Sequence, residues 1–126
     1  MSIVFAHDHK FRLINGNMYS PGGLPNAVFS RYTSIFGNVT VIARILKENQ
    51  ENPKYSKIIN EQVQILDRSA LKGAISNSDG VIARLPSVIG SLAIREAKKQ
   101  RKPYLVEAVG CAWDAYWNYG YKGKLI

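Results

Sequence analysis

Four short runs in this chain are apolar on both faces of an extended backbone, and they constrain the fold more than any other feature. Ile3–Ala6, Val39–Ala43, Val81–Leu85 and Tyr104–Val109 are rich in aliphatic and β-branched side chains and end in polar or glycine-containing turns. A strand apolar on both sides needs cover on both sides, as parallel strands between layers of helix have. Val63–Leu66 is a weaker run and predicts a short edge strand. Between these runs the period changes to that of a helix. Leu24, Ala27, Val28, Tyr32 and Ile35 recur on one face, with Pro25 near the start and Gly37 just past the end. Val88, Ile89, Leu92, Ala93 and Ala97 form a second stripe, opened by Pro86-Ser87 and closed before Pro103. Strands alternating with helices predict right-handed crossovers. The expected fold is α/β, a Rossmann-like parallel sheet with helices on both faces. At 126 residues the chain makes a single domain, 1–126.

Composition removes several classes. A hydrophobic share of 46% with 21% charged residues belongs to a globular chain, against disorder or a fibrous repeat. The lone Cys111 has no intrachain partner, so a disulfide-stapled scaffold is excluded. The apolar runs are strand-sized, and Met1–Ala6 lacks the basic lead of a signal peptide, so the expected location is the cytoplasm. Seventeen Lys and Arg against nine Asp and Glu give a net charge of +8, which suits an anionic partner or simply a basic surface. The densest cluster is Arg95, Lys98, Lys99, Arg101 and Lys102. It falls in the last turns of the second helix, where positive charge also suits the helix dipole. The polar stretch 47–55 reads as a surface loop.

Ligands of open α/β sheets bind beyond the carboxyl ends of the strands. Four segments qualify: the loop from His7 to Gly23, the turn after Arg44, Arg84-Leu85-Pro86, and Gly110 to Asp114. Gly22-Gly23 precedes a helix, where backbone N–H groups can approach a phosphate; a tight turn uses the same residues. Neither dinucleotide-binding nor P-loop glycine patterns occur, and Arg44 stands where a dinucleotide site carries an acid. His7-Asp8-His9 lacks a full ligand set for a metal, and no metal is expected. Cys111 reads as a buried small residue. Glu107 interrupts an apolar strand and must be paired or face a cleft; Arg84 interrupts the preceding strand in the same way and is its natural partner. Asp114 beside Trp113 reads either as a helix start or as a polar contact next to an aromatic wall. Trp113, Tyr116 and Trp117 share a helical face in an aromatic-rich tail.

Three stretches together resemble a family. Tyr19-Ser20-Pro21-Gly22-Gly23-Leu24-Pro25 after the first strand is similar to the N-terminal domain of GT-B-fold glycosyltransferases. Within them it resembles the retaining family-4 enzymes of bacterial surface-polysaccharide synthesis. The stretches Asp79–Ser87 and Val106–Asp114 resemble a subgroup with "ARLPS" and "VEVVGCPWD"-like motifs. The resemblance implies the acceptor-side half of a two-domain enzyme, with the C-terminal donor-binding domain absent from this chain. It implies transfer of a sugar from a nucleoside-diphosphate sugar to a polysaccharide or lipid-linked acceptor, with the nucleotide-sugar as donor substrate and no other cofactor. Gly22 and Gly23 would meet the donor phosphate. His7, Tyr19, Arg84, Glu107, Gly110, Trp113 and Asp114 would line the acceptor cleft. Many relatives carry a His where this chain has Gly110-Cys111, so no catalytic His is carried over, and no nucleophile is nominated. By itself the chain is expected to be catalytically silent.

Two other readings stand beside this one. A basic Rossmann-like module that holds nucleic acid draws on the charge, but no recognition motif supports it. An interaction fragment would use the aromatic tail, or the interdomain face, to dock a protein partner or a second copy. The basic helix end and the tail also offer a peripheral contact with the inner face of a membrane; solvated charge is the weightier reading of those residues.

Overall fold

The computed structural model describes residues 1–22 and 26–108. Its elements run β1 (Ser2–Ile14), β2 (Asn17–Ser20), α1 (Asn26–Phe36), β3 (Asn38–Lys47), β4 (Ser56–Lys57), β5 (Val63–Leu66), a 3-10 turn (Arg68–Ala70), α2 (Leu71–Ser76), β6 (Gly80–Leu85), α3 (Val88–Lys99) and β7 (Tyr104–Ala108). Among the described residues β5, β3, β1, β6 and β7 lie side by side in that order, every pair parallel. The order reverses at β1. From there the chain steps outward through β3 to β5, then returns to β6 and β7 on the other side.

Side-chain alternation along the strands supplies both faces of the sheet. Ile3, Phe5, Phe11, Val39, Val41, Ala43 and Ile82 pack under Phe29 and Tyr32 of α1. Val4, Ala6, Ile42 and Val81 point the opposite way, against Leu71 and Ile75 of α2 and Ile89, Ala93 and Ala97 of α3. Each fully buried Phe or Ile contributes roughly 1.5–3 kcal/mol, so the doubly apolar strands are what make a two-layer cover worthwhile. Gly37 ends α1 at φ 87°, its N–H on the carbonyl of Thr33 at 2.9 Å; any Cβ there would meet the Met1 carbonyl oxygen at 3.0 Å. The α/β architecture with helices on both faces is thus as the strand and helix periods predict.

Two expected boundaries are corrected. The segment from His7 onward is not a loop. β1 runs on to Ile14, turns through Asn15-Gly16 at φ 50° and 80°, and pairs antiparallel with β2, which in turn pairs with β4. Positive φ at both central residues is the hairpin turn that matches strand twist. Nor does β3 turn after Arg44, because Lys10–Leu13 of the extended β1 pairs with Arg44–Lys47. The join between the two halves of β1 is a bulge: four steps from Ala6 to Lys10 face two from Ile42 to Arg44. Before the bulge β1 pairs with β6; beyond it β1 pairs with β2 instead. The apolar run of β7 also departs from expectation, with Leu105 59% and Val106 45% exposed, because β7 is the outermost strand among the described residues.

Candidate functional site

The bulge, the end of β6 and the end of β7 meet where the strand order reverses, with α1 overhead. Arg84 and Glu107 are direct neighbours in the β6–β7 register and share the face that α1 covers. Arg84 Nε donates to Glu107 Oε1 at 2.8 Å, and its Nη2 donates to the same oxygen. The guanidinium also lies over the Phe5 ring, 5.5 Å from its centre. Tyr32 of α1 donates its hydroxyl to the other oxygen, Oε2. Both carboxylate oxygens are therefore occupied. Burial raises the Glu107 pKa, but the bonds from Tyr32 and Arg84 outweigh it and the net shift is downward. Burial, with the Glu107 bond, pushes Tyr32 up to about 12, so it stays a donor. This ionised, fully engaged carboxylate orients Arg84 and ties α1 to β7.

His7 and His9 stand on the bulge beside this group. The backbone N–H of His9 donates to Nδ1 of His7 at 3.2 Å, which leaves the proton of a neutral His7 on Nε2. Burial, then the Arg84 charge, lowers the His7 pKa. His9 falls to about 4, first through burial and then through its neighbours His7, Arg12 and Arg84. Its Nε2 meets Ser20 Oγ at 2.8 Å, and that hydroxyl donates to the Gly22 carbonyl at 3.0 Å. His9, its backbone N–H held by His7, thus fixes Ser20 and through it the Gly22 carbonyl. Gly22 itself has φ 133°, a conformation side chains resist, and open space where a Cβ would point.

Asp8, between the two histidines, points to the opposite side. Its carboxylate accepts from the N–H groups of Val88 at 2.7 Å and Ile89 at 2.8 Å, while Ser87 Oγ accepts from Gly90 N–H at 2.8 Å. Burial raises the Asp8 pKa; these backbone bonds outweigh it and lower the pKa overall. The start of α3 is therefore capped by the protein's own anion.

Of the predicted cleft residues, His7, Arg84 and Glu107 come together. Tyr19 does not join them. Its neighbour Met18 packs against the core under α1, so Tyr19 faces the other way, and its hydroxyl donates to Glu51 at 2.9 Å. Gly22 lies at the edge of the group. Gly23, Gly110, Cys111, Trp113 and Asp114 are outside the described residues. The sequence does not mark Tyr32, Asp8, His9 or Ser20 as cleft residues; for Tyr32 and Asp8 the partners are 75 to 81 residues distant, and no local pattern points to them. Among the described residues no three His, Cys, Asp or Glu side chains are placed to hold a metal ion. The cluster offers imidazole and guanidinium hydrogen bonds to a polyhydroxyl ligand.

The chain is similar to Protein CapJ of Staphylococcus aureus. The two are 34% identical over 138 aligned positions that take in 95% of this chain and 34% of CapJ. This chain thus spans about a third of that relative's length. No family model matches the chain, and no solved structure matches it. No helix among the described residues is long and apolar enough to cross a membrane.

Proposed function

We propose that this chain is the acceptor-side domain of a GT-B-type, family-4-like retaining glycosyltransferase. It would serve transfer from a nucleoside-diphosphate sugar to a polysaccharide or lipid-linked acceptor. The observation that carries the reading is the convergence of His7, Arg84, Glu107 and Tyr32 at the reversal of strand order, beside the glycine turn that enters α1. The Rossmann-like sheet and the likeness to CapJ support a glycosyltransferase-like family at the coarser level. In this reading Gly22, with Gly23, turns backbone N–H groups toward the donor phosphates. His7 and Arg84 hydrogen-bond acceptor hydroxyls, Glu107 holds Arg84 in place, and Gly110, Trp113 and Asp114 complete the wall. The remaining donor contacts belong to a second domain, so this chain by itself transfers no sugar and holds donors at about millimolar affinity or weaker.

The test is a titration of the 15N-labelled chain with oligosaccharide fragments and, separately, with nucleoside-diphosphate sugars. Glycans should shift the amides around His7, Tyr32 and Arg84, and donors only those at the glycine turn. A chain whose cleft amides ignore every glycan up to about 10 mM is not an acceptor domain.

A further inference from the structure

Among the described residues Ser20 is the polar side chain buried most deeply, at 0% exposure. Its backbone is held by β4, in register with Ser56, and its hydroxyl lies between two partners. That hydroxyl has one proton to give. The Gly22 carbonyl oxygen, 3.0 Å away, can only accept, so it takes the proton. The bond to His9 at 2.8 Å must then run the other way, from Nε2–H to Ser20 Oγ. A neutral His9 therefore carries its proton on Nε2. Its ring is clamped as well. It stands edge-on to Phe11, centres 4.7 Å apart at 81°, and Phe11 packs against Phe29 of α1. A series of contacts thus runs one way, from the core through His9 and Ser20 to the carbonyl of Gly22.

Glycine loses more backbone freedom on ordering than any other residue, and Gly22 sits at φ 133° with no side chain of its own to hold it. The buried hydroxyl on its carbonyl does that instead. In a planar trans peptide the C=O and the N–H point in opposite directions. Pinning the Gly22 carbonyl on Ser20 therefore turns the N–H of the same peptide unit away from Ser20. We propose that His9 and Ser20 are positioning residues that preset this peptide, so that its N–H is ready for a donor phosphate before the donor binds. The proposal rests on the reading of the glycine turn as the donor-phosphate contact. Neither residue touches the donor; each acts through the next. A turn that adopts the competent orientation only a tenth of the time would bind about tenfold more weakly.

The test uses the full 15N-labelled chain with uridine diphosphate as the probe. In the wild type the Gly22 amide should be rigid, with an order parameter of about 0.85, and should shift as the probe is added. In Ser20→Ala and in His9→Leu the order parameter should fall below about 0.6, and the dissociation constant should rise about tenfold. His9→Gln should restore both, because the amide nitrogen of glutamine reaches the place of Nε2; His9→Asn, one carbon shorter, should not. Ser78→Ala is the control for a merely structural hydroxyl, since Ser78 is 5% exposed and donates to the Ile75 carbonyl at 2.9 Å. It should lower the melting temperature and leave Gly22 and probe binding unchanged. Circular dichroism checks the fold of every variant. Should Ser20→Ala not fold, His9→Leu and His9→Asn carry the test, because His9 is only half-buried. Wild-type affinity kept in the folded variants, whether or not Gly22 loosens, overturns the proposal alone. A wild-type turn that ignores the probe up to about 10 mM overturns the donor-phosphate reading, and this proposal with it.

Discussion

Glu107 accepts three hydrogen bonds from two side chains on two different elements, and its removal therefore reaches beyond one ion pair. Glu107→Gln leaves the Arg84 guanidinium, whose side chain is 16% exposed, without a counter-charge. We expect a loss of about 1–3 kcal/mol in urea unfolding, below the cost of breaking a fully buried pair because Glu107 is 34% exposed. Glu107→Ala should lose more, since it also frees Tyr32. The same residues set the response to pH. His9 titrates at about 4 when folded against 6.5 in the unfolded chain, so between those values the unfolded state binds more protons. Stability should thus fall as pH drops from 6.5 toward 4, by about 1–2 kcal/mol from His9 once residual solvent around the ring is allowed for. His7 is lowered in the same sense and adds to that slope. Glu107 and Asp8, both lowered, lose their contributions only below the ordinary carboxylate range, as pH falls through their folded values. Melting temperatures of the wild type and His9→Gln from pH 4 to 7.5 check this: the variant should show a visibly shallower slope, and equal slopes would remove His9 from the account.

At the scale of elements, α3 depends on residues far from it in sequence. Asp8, 80 residues before Val88, caps the helix from the bulge of β1. Asp8→Ala should cost about 1–2 kcal/mol in thermal unfolding, a typical capping loss. Gly90 in the first turn of α3 sits against the end of β6, where an added Cβ would come within 2.9 Å of the Arg84 carbonyl oxygen and 3.1 Å of Leu85. Gly90→Ala should therefore destabilise by about 1–3 kcal/mol although alanine is the better helix former; a rise in melting temperature would contradict the packing. The contrast shows what a sequence makes legible. The strands β3, β6 and β7, the edge strand β5 and the helices α1 and α3 follow from apolar periodicity, which is local; the face of α1 does not, since it buries Phe29, Tyr32 and Thr33 and leaves Ile35 of the expected stripe 72% exposed. The Arg84–Glu107 pair was legible too, because each breaks an apolar run one strand apart. The hairpin was readable in principle, since Asn15-Gly16 between Phe11–Ile14 and Met18–Tyr19 is a strong turn signal. The bulge, the Asp8 cap and the Tyr32–Glu107 bond are products of register and long-range packing. No window of neighbouring residues contains them.

For the whole molecule, the sheet separates two surfaces. The His7–Arg84–Glu107–Tyr32 group lies on the α1 side, and a groove lined by Arg68, Lys72, Arg95, Glu96 and Lys99 on the α2–α3 side. A ligand on one need not compete for the other, so glycan-induced shifts at His7 and Arg84 should be unchanged in Lys72→Ala or Lys99→Ala. The division also limits what a donor sugar nucleotide can do to stability. Among the described residues the start of α3 is closed to a phosphate, because Asp8 fills it. With a dissociation constant of about 1 mM, a donor at 1 mM stabilises the fold by only about 0.4 kcal/mol. For a domain of this size that is a rise of roughly 2 °C or less in melting temperature. Differential scanning fluorimetry with nucleoside-diphosphate sugars at that concentration should show no more. A shift of about 5 °C would mean that this chain already contains a complete donor site, and the acceptor-side assignment would have to be abandoned for a domain that binds nucleotide by itself.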